Sequence, residues 1–508
     1  MMSPASERSA AKRPLGAPYH AAVPRMSISR AISHHAAERP ADPALTCGHE
    51  SLSWDELDRT TNRLARAYAE LGVGSDDLVT IALPNSTEFF VAAIAAWKLG
   101  ATPQPVSAKL PGRELEEIVE LADSRLVVGV EPDRLPDRTC VPIGFRAHVG
   151  LDDAPLPDAV ASHFKAPTSG GSTGRPKIIL SQLRGEFDTD APTMHLPIGS
   201  TCVIPGVLYH NAPFTTSTLS LIGGNHVVNF PRFVPEHVLE AVTEHRPKYL
   251  YLVPTMMARI WKLPDEVRAA ADMSSLEVAV HMAAPCPAWL KEEWIHWLGP
   301  DVLCELYGGT EQQSLTWVTG REWLERRGTV GRPMFGEIKV VDEHGRDVPP
   351  GQVGEIVMRA ADGPGSTYRY LGADVRQFDG WESIGDLGWM DADGYVYLAD
   401  RRSDLILRGG ANVYPAEVEA ALEEHPAIRS CAVVGIPDDD LGQRVHAVID
   451  APDGIAEADL RAHMARRLVD YKCPSSYDFV DEPVRDDAGK VRRSLLASER
   501  SGPATPGR

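Results

Sequence analysis

The chain has 508 residues, 43% of them hydrophobic and 24% charged, which is too much for one compact core and points to two or more globular domains. Its formal net charge of −20 excludes the basic footprint of a nucleic-acid binder, so any anionic ligand must be held by local donors and cations. The seven scattered cysteines form no CxxC pair and no apolar run approaches about 20 residues, which argues against a zinc site and a membrane span and for a reducing, cytoplasmic setting.

Residues 1–25 are rich in Ala, Ser, Pro and Arg without apolar periodicity and read as a disordered tail. His34-His35 is expected on a solvated helix. Ser53-Trp54-Asp55-Glu56 is a capping box, and Trp54, Leu57, Leu64, Tyr68 and Leu71 follow at helical spacing until Gly72 and Gly74 stop the helix. Leu78–Leu83 reads as a buried strand, 88–99 as a helix and 102–106 as the next strand. This alternation predicts an α/β architecture.

Thr168-Ser169-Gly170-Gly171-Ser172-Thr173-Gly174-Arg175-Pro176-Lys177 comes next. Glycines let a backbone approach phosphate closely, hydroxyls donate to its oxygens, and Arg175 and Lys177 add positive charge. It is not a Walker A loop, because Gly174 is followed by Arg-Pro-Lys and the apolar run Ile178-Ile179-Leu180. Apolar segments continue at 202–204 and 219–222, a turn falls at Gly223-Gly224, and strands are expected at 226–230, 249–253, 276–282 and 302–306. Cys286 and Cys304 lie in apolar, strand-like contexts and read as core residues. From 328 to 398 short runs with frequent glycines suggest a β-rich subdomain. Arg401-Arg402-Ser403-Asp404 is a charged joint, after which a β-α-β-β pattern marks a separate small α+β domain over 402–497. Residues 498–508 read as a second disordered tail.

The loop at 168–177, the segment Tyr307-Gly308-Gly309-Thr310-Glu311, Asp386, Arg401 and Lys490 stand in an order and spacing that resemble the adenylate-forming superfamily of acyl-CoA synthetases, adenylation domains and luciferases. The loop together with Leu208-Tyr209-His210-Asn211 is most similar to bile-acid and steroid-type CoA ligases. The resemblance implies a large N-terminal domain over 26–401 and a mobile C-terminal one. It also implies an ATP- and Mg²⁺-dependent ligase that forms acyl-AMP from a carboxylic acid and passes the acyl group to CoA.

By the same resemblance Thr168, Ser169, Gly170, Gly171, Ser172, Thr173, Gly174 and Lys177 cover the outer phosphates of ATP. Glu305, Tyr307, Gly308 and Gly309 border the adenine, Thr310 meets the α-phosphate and Glu311 binds Mg²⁺, a hard ion that a carboxylate suits. Asp386 and Arg401 reach the ribose. Ala283, Ala284 and Pro285 fall between adenine and substrate. Tyr209, His210, Asn211, Phe214 and Thr215 border the acyl pocket and thiol tunnel. Lys490 is the mobile catalytic lysine, Ser403 and Asp404 the hinge, and Gly409 and Gly410 the passage for the pantetheine arm.

The chain departs from the family pattern at Ile178, Ala283, Ile384 and Leu407, where Gly, Gly, Thr and Lys are usual. None of these belongs to the set Thr173, Glu311, Asp386, Arg401 and Lys490. The resemblance leaves the acid and the acceptor open. The same nucleotide machinery serves enzymes that transfer to a carrier protein or an amine, or that activate nitrite to diazotise an aryl amine. A non-catalytic nucleotide-binding homologue stands against the retention of Glu311 and Lys490. A homodimer is compatible with the sequence, which does not encode it legibly.

Overall fold

The computed structural model describes residues 25–170, 176–189, 194–438, 440–486 and 489–500. The capping box closes as its spacing demands: Glu56 N donates to Ser53 Oγ at 3.3 Å, and Ser53 N to Glu56 Oε2 at 2.8 Å, opening helix Trp54–Glu70. Helix Thr87–Lys98 is apolar all round, and every residue of it except Glu88 is buried. A helix of that composition belongs inside a protein. Its last turn stacks Trp97 on Phe164 and Phe214 at 5.7 and 5.6 Å between ring centroids.

The expected α/β architecture is present. Strands Leu78–Ile81, Thr102–Pro105, Leu126–Val128 and Cys140–Val141 form a parallel sheet. A second, fourteen-stranded sheet carries a parallel half in the order Pro43–Cys47, His226–Asn229, Thr201–Val203, Tyr249–Leu252, Val278–His281, Leu303–Gly308. The sheet then turns antiparallel through Leu315–Thr319 and Thr329–Phe335 into the β-rich region, whose strands include Gly354–Arg359, Trp381–Met390 and Val396–Arg401. The segments after the parallel strands gather along their carboxyl ends, the usual place for a ligand crevice in such sheets.

The apolar segment Leu219–Ile222 closes the helix Asn211–Ile222. Two readings need correction. Cys304 lies in a strand, but Cys286 sits, half-buried, in the turn before helix Ala288–Leu298. His34 is exposed, whereas His35 is half-buried, its Nε2 2.9 Å from the Ile222 carbonyl oxygen and its ring against Trp54.

Beyond the joint, strands Ile406–Arg408, Ala411–Val413, Ser430–Asp438, Gly442–Asp450 and Ser476–Val480 make a sheet covered by helices Pro415–Glu423 and Glu457–Ala465. Val418, Leu422, Val433, Val445 and Leu460 form a core of its own. The last helix, Arg493–Arg500, carries ordered chain past residue 497, with Arg500 Nε donating to Asp478 Oδ2 at 2.8 Å. Among the described residues no helix is long and apolar enough to cross a membrane.

Candidate active site

Strand Thr168–Gly170 pairs antiparallel with Pro176–Ser181, placing Ser169 opposite Lys177. Gly171, Ser172, Thr173 and Gly174 lie outside the described residues. Thr168 Oγ1 accepts from Gln104 Nε2 at 3.3 Å. Strand Tyr368–Leu371 adds to the other side of Pro176–Ser181 and sets Tyr370 opposite Ile179. Lys177 Nζ therefore stands over the Tyr370 ring, 3.8 Å from its centroid, and 3.8 Å from Glu311 Oε1. Burial lowers the Lys177 pKa most; Glu311 raises it and Arg401 lowers it further.

Strand Leu303–Gly308 delivers Tyr307 and the turn that follows. Tyr307 donates its hydroxyl to Asp386 Oδ2 at 2.8 Å, and Tyr370 donates to Glu311 Oε1 at 2.6 Å. Asp386 and Arg401 are cross-strand partners, with Arg401 Nε 3.3 Å from Asp386 Oδ1. Desolvation raises the Asp386 pKa, against the pull of Arg401 and the Tyr307 hydroxyl. A Cβ at Gly309 would stand 2.7 Å from Glu311 Oε2 and 3.1 Å from Ile384 Cδ1, so glycine there leaves that carboxylate oxygen uncrowded. Thr310 is half-buried in the same turn. Glu305 is different: its carboxylate pairs with Lys291 inside the protein, which makes it part of the wall behind the site.

Lys490 arrives from the small domain. Its N–H donates to Asp486 Oδ1 at 2.8 Å, in a turn closed by Gly489 at φ +76°. A Cβ on Gly489 would stand 3.4 Å from Thr255 Cγ2 and 3.7 Å from Ala284 Cβ, so this turn rests on the large domain. Solvent still reaches Lys490, yet the surrounding protein lowers its pKa; Asp486 raises it and Arg401 lowers it further. His210, the residue before helix Asn211–Ile222, lies with Nε2 4.0 Å from Asp486 Oδ2. Burial, then the charge of Lys490, pushes its pKa down to about 3, so the imidazole is neutral at physiological pH. The Tyr209 ring leans on it at 4.2 Å.

Ala283 and Pro285 are exposed and Ala284 is half-buried; Ala283 keeps φ at +75°, the conformation that favours the glycine it replaces. Two expected groups are not at the crevice. Phe214 is buried between Trp97 and Phe89, because its position on the helix faces the core. Gly409 and Gly410 form an exposed hairpin turn in the small domain. At the joint, Ser403 donates to Asp404 Oδ1, while Arg493 Nη1 donates to Asp404 Oδ2 at 2.8 Å and Nη2 to both oxygens of Glu419. Asp400 accepts from Ala416 N at 2.8 Å, and burial raises its pKa to about 6.

Sequence reasoning missed Tyr370. The alternation Tyr368-Arg369-Tyr370 signals a strand, but only the pairing with Pro176–Ser181 brings it under Lys177.

The profile of AMP-binding enzymes matches residues 32–371, and that of the AMP-binding enzyme C-terminal domain matches residues 417–490. A feruloyl-CoA synthase from an Amycolatopsis species is 32% identical over 474 residues, covering 89% of this chain and 94% of its own. A fatty acid–acyl-carrier-protein ligase from Streptomyces coeruleorubidus is 28% identical over 508 residues, covering 92% and 96%. The o-succinylbenzoate CoA synthetase of Bacillus subtilis, solved with its acyl-adenylate intermediate, superposes with a TM-score of 0.79 at 25% identity, covering 93% of this chain and 98% of that one.

Proposed function

The chain belongs to the family of AMP-binding enzymes, and on that premise we propose that it is an AMP-forming acid–thiol ligase. It adenylates a carboxylic acid with ATP and transfers the acyl group to CoA. The observation that carries this reading is the meeting of three units in one crevice: Tyr307–Asp386–Arg401, Lys177–Tyr370–Glu311, and Lys490 from the second domain.

Each unit has a chemical task. Tyr307 offers its ring to adenine, and Asp386 with Arg401 holds the ribose hydroxyls. Lys177 and the 168–177 segment take the outer phosphates, and Thr310 takes the α-phosphate. Glu311 suits magnesium: it is a buried carboxylate with one oxygen fixed by Tyr370 and the other left clear by Gly309. Bound there, the ion would neutralise phosphate charge. The acid's carboxylate attacks the α-phosphorus, an acyl–phosphate bond forms, and pyrophosphate leaves with the electron pair of the broken bond.

Lys490 offsets the charge of two anions brought together, which is worth most in a crevice that excludes water. Neutral His210 walls the acyl side without adding a cation there. For the second step the small domain turns about Ser403 and Asp404, carrying Lys490 out and Gly409-Gly410 in. The CoA thiolate then displaces AMP. Such gating separates two reactions that need different groups.

Pyrophosphate release across a panel of acids, with and without CoA, tests the reading. A holo carrier protein, and nitrite plus aryl amines, complete the panel. CoA-dependent thioester formation is expected. Turnover only with carrier protein would change the acceptor, and turnover only with nitrite and amine would overturn the reading. Lys490→Ala should lower adenylation by about a hundredfold or more, the size of losing one well-placed electrostatic stabiliser. It should spare thioester formation from supplied acyl-AMP; equal loss of both steps would refute the role given to Lys490.

A further inference from the structure

Three lysines in the large domain are almost wholly shielded from solvent: Lys98, Lys291 and Lys165. Lys98 is paired with Asp58 at 2.6 Å, and Lys291 with Glu305. Lys165 is not paired in this way. Among the described residues no carboxylate lies within 4.0 Å of its ammonium, and its hydrogen-bond partner is Thr215 Oγ1 at 2.5 Å. Burial lowers its pKa to about 7. Nζ also stands over the Phe164 ring, 5.2 Å from its centroid. A charged amine held by one hydroxyl and one ring face is costly to bury, and groups so perturbed gather at functional sites.

Its surroundings point to where that ligand comes from. Lys165 lies three residues before Thr168, and its side chain meets the first turns of helix Asn211–Ile222. Thr215 in turn donates to Asn211 Oδ1 at 3.3 Å, and Asn211 is half-exposed beside His210. A polar chain thus runs from the buried ammonium to the crevice wall. Five residues of helix separate His210 from Thr215, which is about 7.5 Å along the axis.

We propose that Lys165, with Thr215 and Asn211, forms a second anion site in the acyl pocket, selecting acids that carry another anionic group. With the reacting carboxylate level with His210 and the second anion level with Thr215, the two would be about 7 Å apart, roughly the width of an aromatic ring or the length of a short aliphatic chain. The inference rests on the acid-activating reading above and names the class of acid it takes. Binding needs no covalent step: the second anion accepts from the Lys165 ammonium and from Asn211 Nδ2, while Thr215, whose hydroxyl donates to Asn211 Oδ1, positions the lysine.

The test compares acid-dependent pyrophosphate release by the wild-type enzyme on matched pairs of acids, aromatic and aliphatic, with and without a second carboxylate at that distance. The dianionic member is expected to show at least tenfold higher kcat/KM, carried by KM. In Lys165→Met that ratio should fall by tenfold or more, while Lys165→Arg keeps part of it. A wild-type enzyme that releases pyrophosphate with monocarboxylates and shows no preference for the dianionic partner overturns the anion site and leaves the acid-activating reading standing. An enzyme that releases none with any acid overturns both. If Lys165→Met lowers both members of each pair equally, the lysine is structural, and the proposal fails. The wild-type panel decides the matter even where the methionine variant does not fold.

Discussion

Tyr370→Phe isolates one hydroxyl in the site. The phenol donates to Glu311 Oε1 at 2.6 Å, and its ring lies 3.8 Å below Lys177 Nζ. Phenylalanine keeps the ring, and hence the cation–π contact, and removes only the donor to a buried carboxylate. A hydrogen bond to a charged group contributes about 1.5–3 kcal/mol. Were all of it spent on placing Glu311, the loss at about 1.36 kcal/mol per decade would be roughly 10- to 150-fold.

ATP–pyrophosphate exchange at saturating acid, with MgATP varied, reads this directly. The KM for MgATP should rise by about tenfold or more, because Glu311 is freed to adopt other rotamers in the unliganded enzyme. Tyr370→Leu removes the platform under Lys177 as well and should cost about 0.5–2 kcal/mol beyond the phenylalanine variant. If the phenylalanine variant matches the wild type in both KM and kcat, Tyr370 does not position Glu311. If leucine and phenylalanine variants are equal, the ring contributes nothing to Lys177.

Three further outcomes follow from backbone and charge. Ala283→Gly relieves a left-handed alanine, a conformation that costs about 1–2 kcal/mol, partly offset by about 0.5–1 kcal/mol of glycine entropy. A small gain in melting temperature is therefore expected from calorimetry, with unchanged or lower temperature pointing against strain at this position. In the role proposed for it, Asp386 accepts from both ribose hydroxyls as a carboxylate, and burial raises its pKa. The KM for ATP should accordingly climb as pH falls through a range above that of an ordinary aspartate, and a profile flat down to pH 4 would oppose this. The sign for folding is opposite. A raised folded-state pKa means Asp386 contributes stability below its unfolded pKa and loses it as pH rises through the folded one. Asp386→Asn should thus impair ATP binding without destabilising the fold at neutral pH, and a lower melting temperature would count against that.

The site was unevenly legible in the sequence. Tyr307 to Glu311 stand in one contiguous segment, the end of a strand and the turn after it, so their types and order are readable together. Asp386 and Arg401 belong to different strands, and their union depends on the register of one antiparallel pair, which side-chain pattern alone does not specify. Tyr370 was hidden for the same reason: its strand joins Pro176–Ser181 across a long stretch of chain. The family resemblance puts Phe214 at the pocket, but the helical turn carries it towards Trp97, while Thr215 faces Lys165. Lys165 had no signal, since an isolated lysine in sequence most often ends in solvent. The capping box and the all-apolar helix were readable because both are local.

With a net charge of −20, the protein does not draw ATP by its overall field, so the cations at the crevice must do so. They also oppose one another: Arg401 lowers the pKa of both Lys177 and Lys490. Two of the three belong to the large domain, and Lys490 enters only when the small domain rests its Gly489 turn near Thr255 and Ala284. Without nucleotide, that pose crowds like charges; with ATP, the phosphates convert the repulsion into attraction. On the proposed reading, loss of pyrophosphate removes most of that negative charge, and the pose weakens so that the domain can turn for the second step. Limited proteolysis at the Arg401–Asp404 joint should therefore slow severalfold with ATP and an unreactive acid analogue and return towards the free rate with AMP alone. Raising salt should shrink the difference, because screening acts on all three cations. Equal protection by ATP and AMP would mean that the adenosine contacts of Tyr307, Asp386 and Arg401, not the phosphate charge, set the position of the small domain.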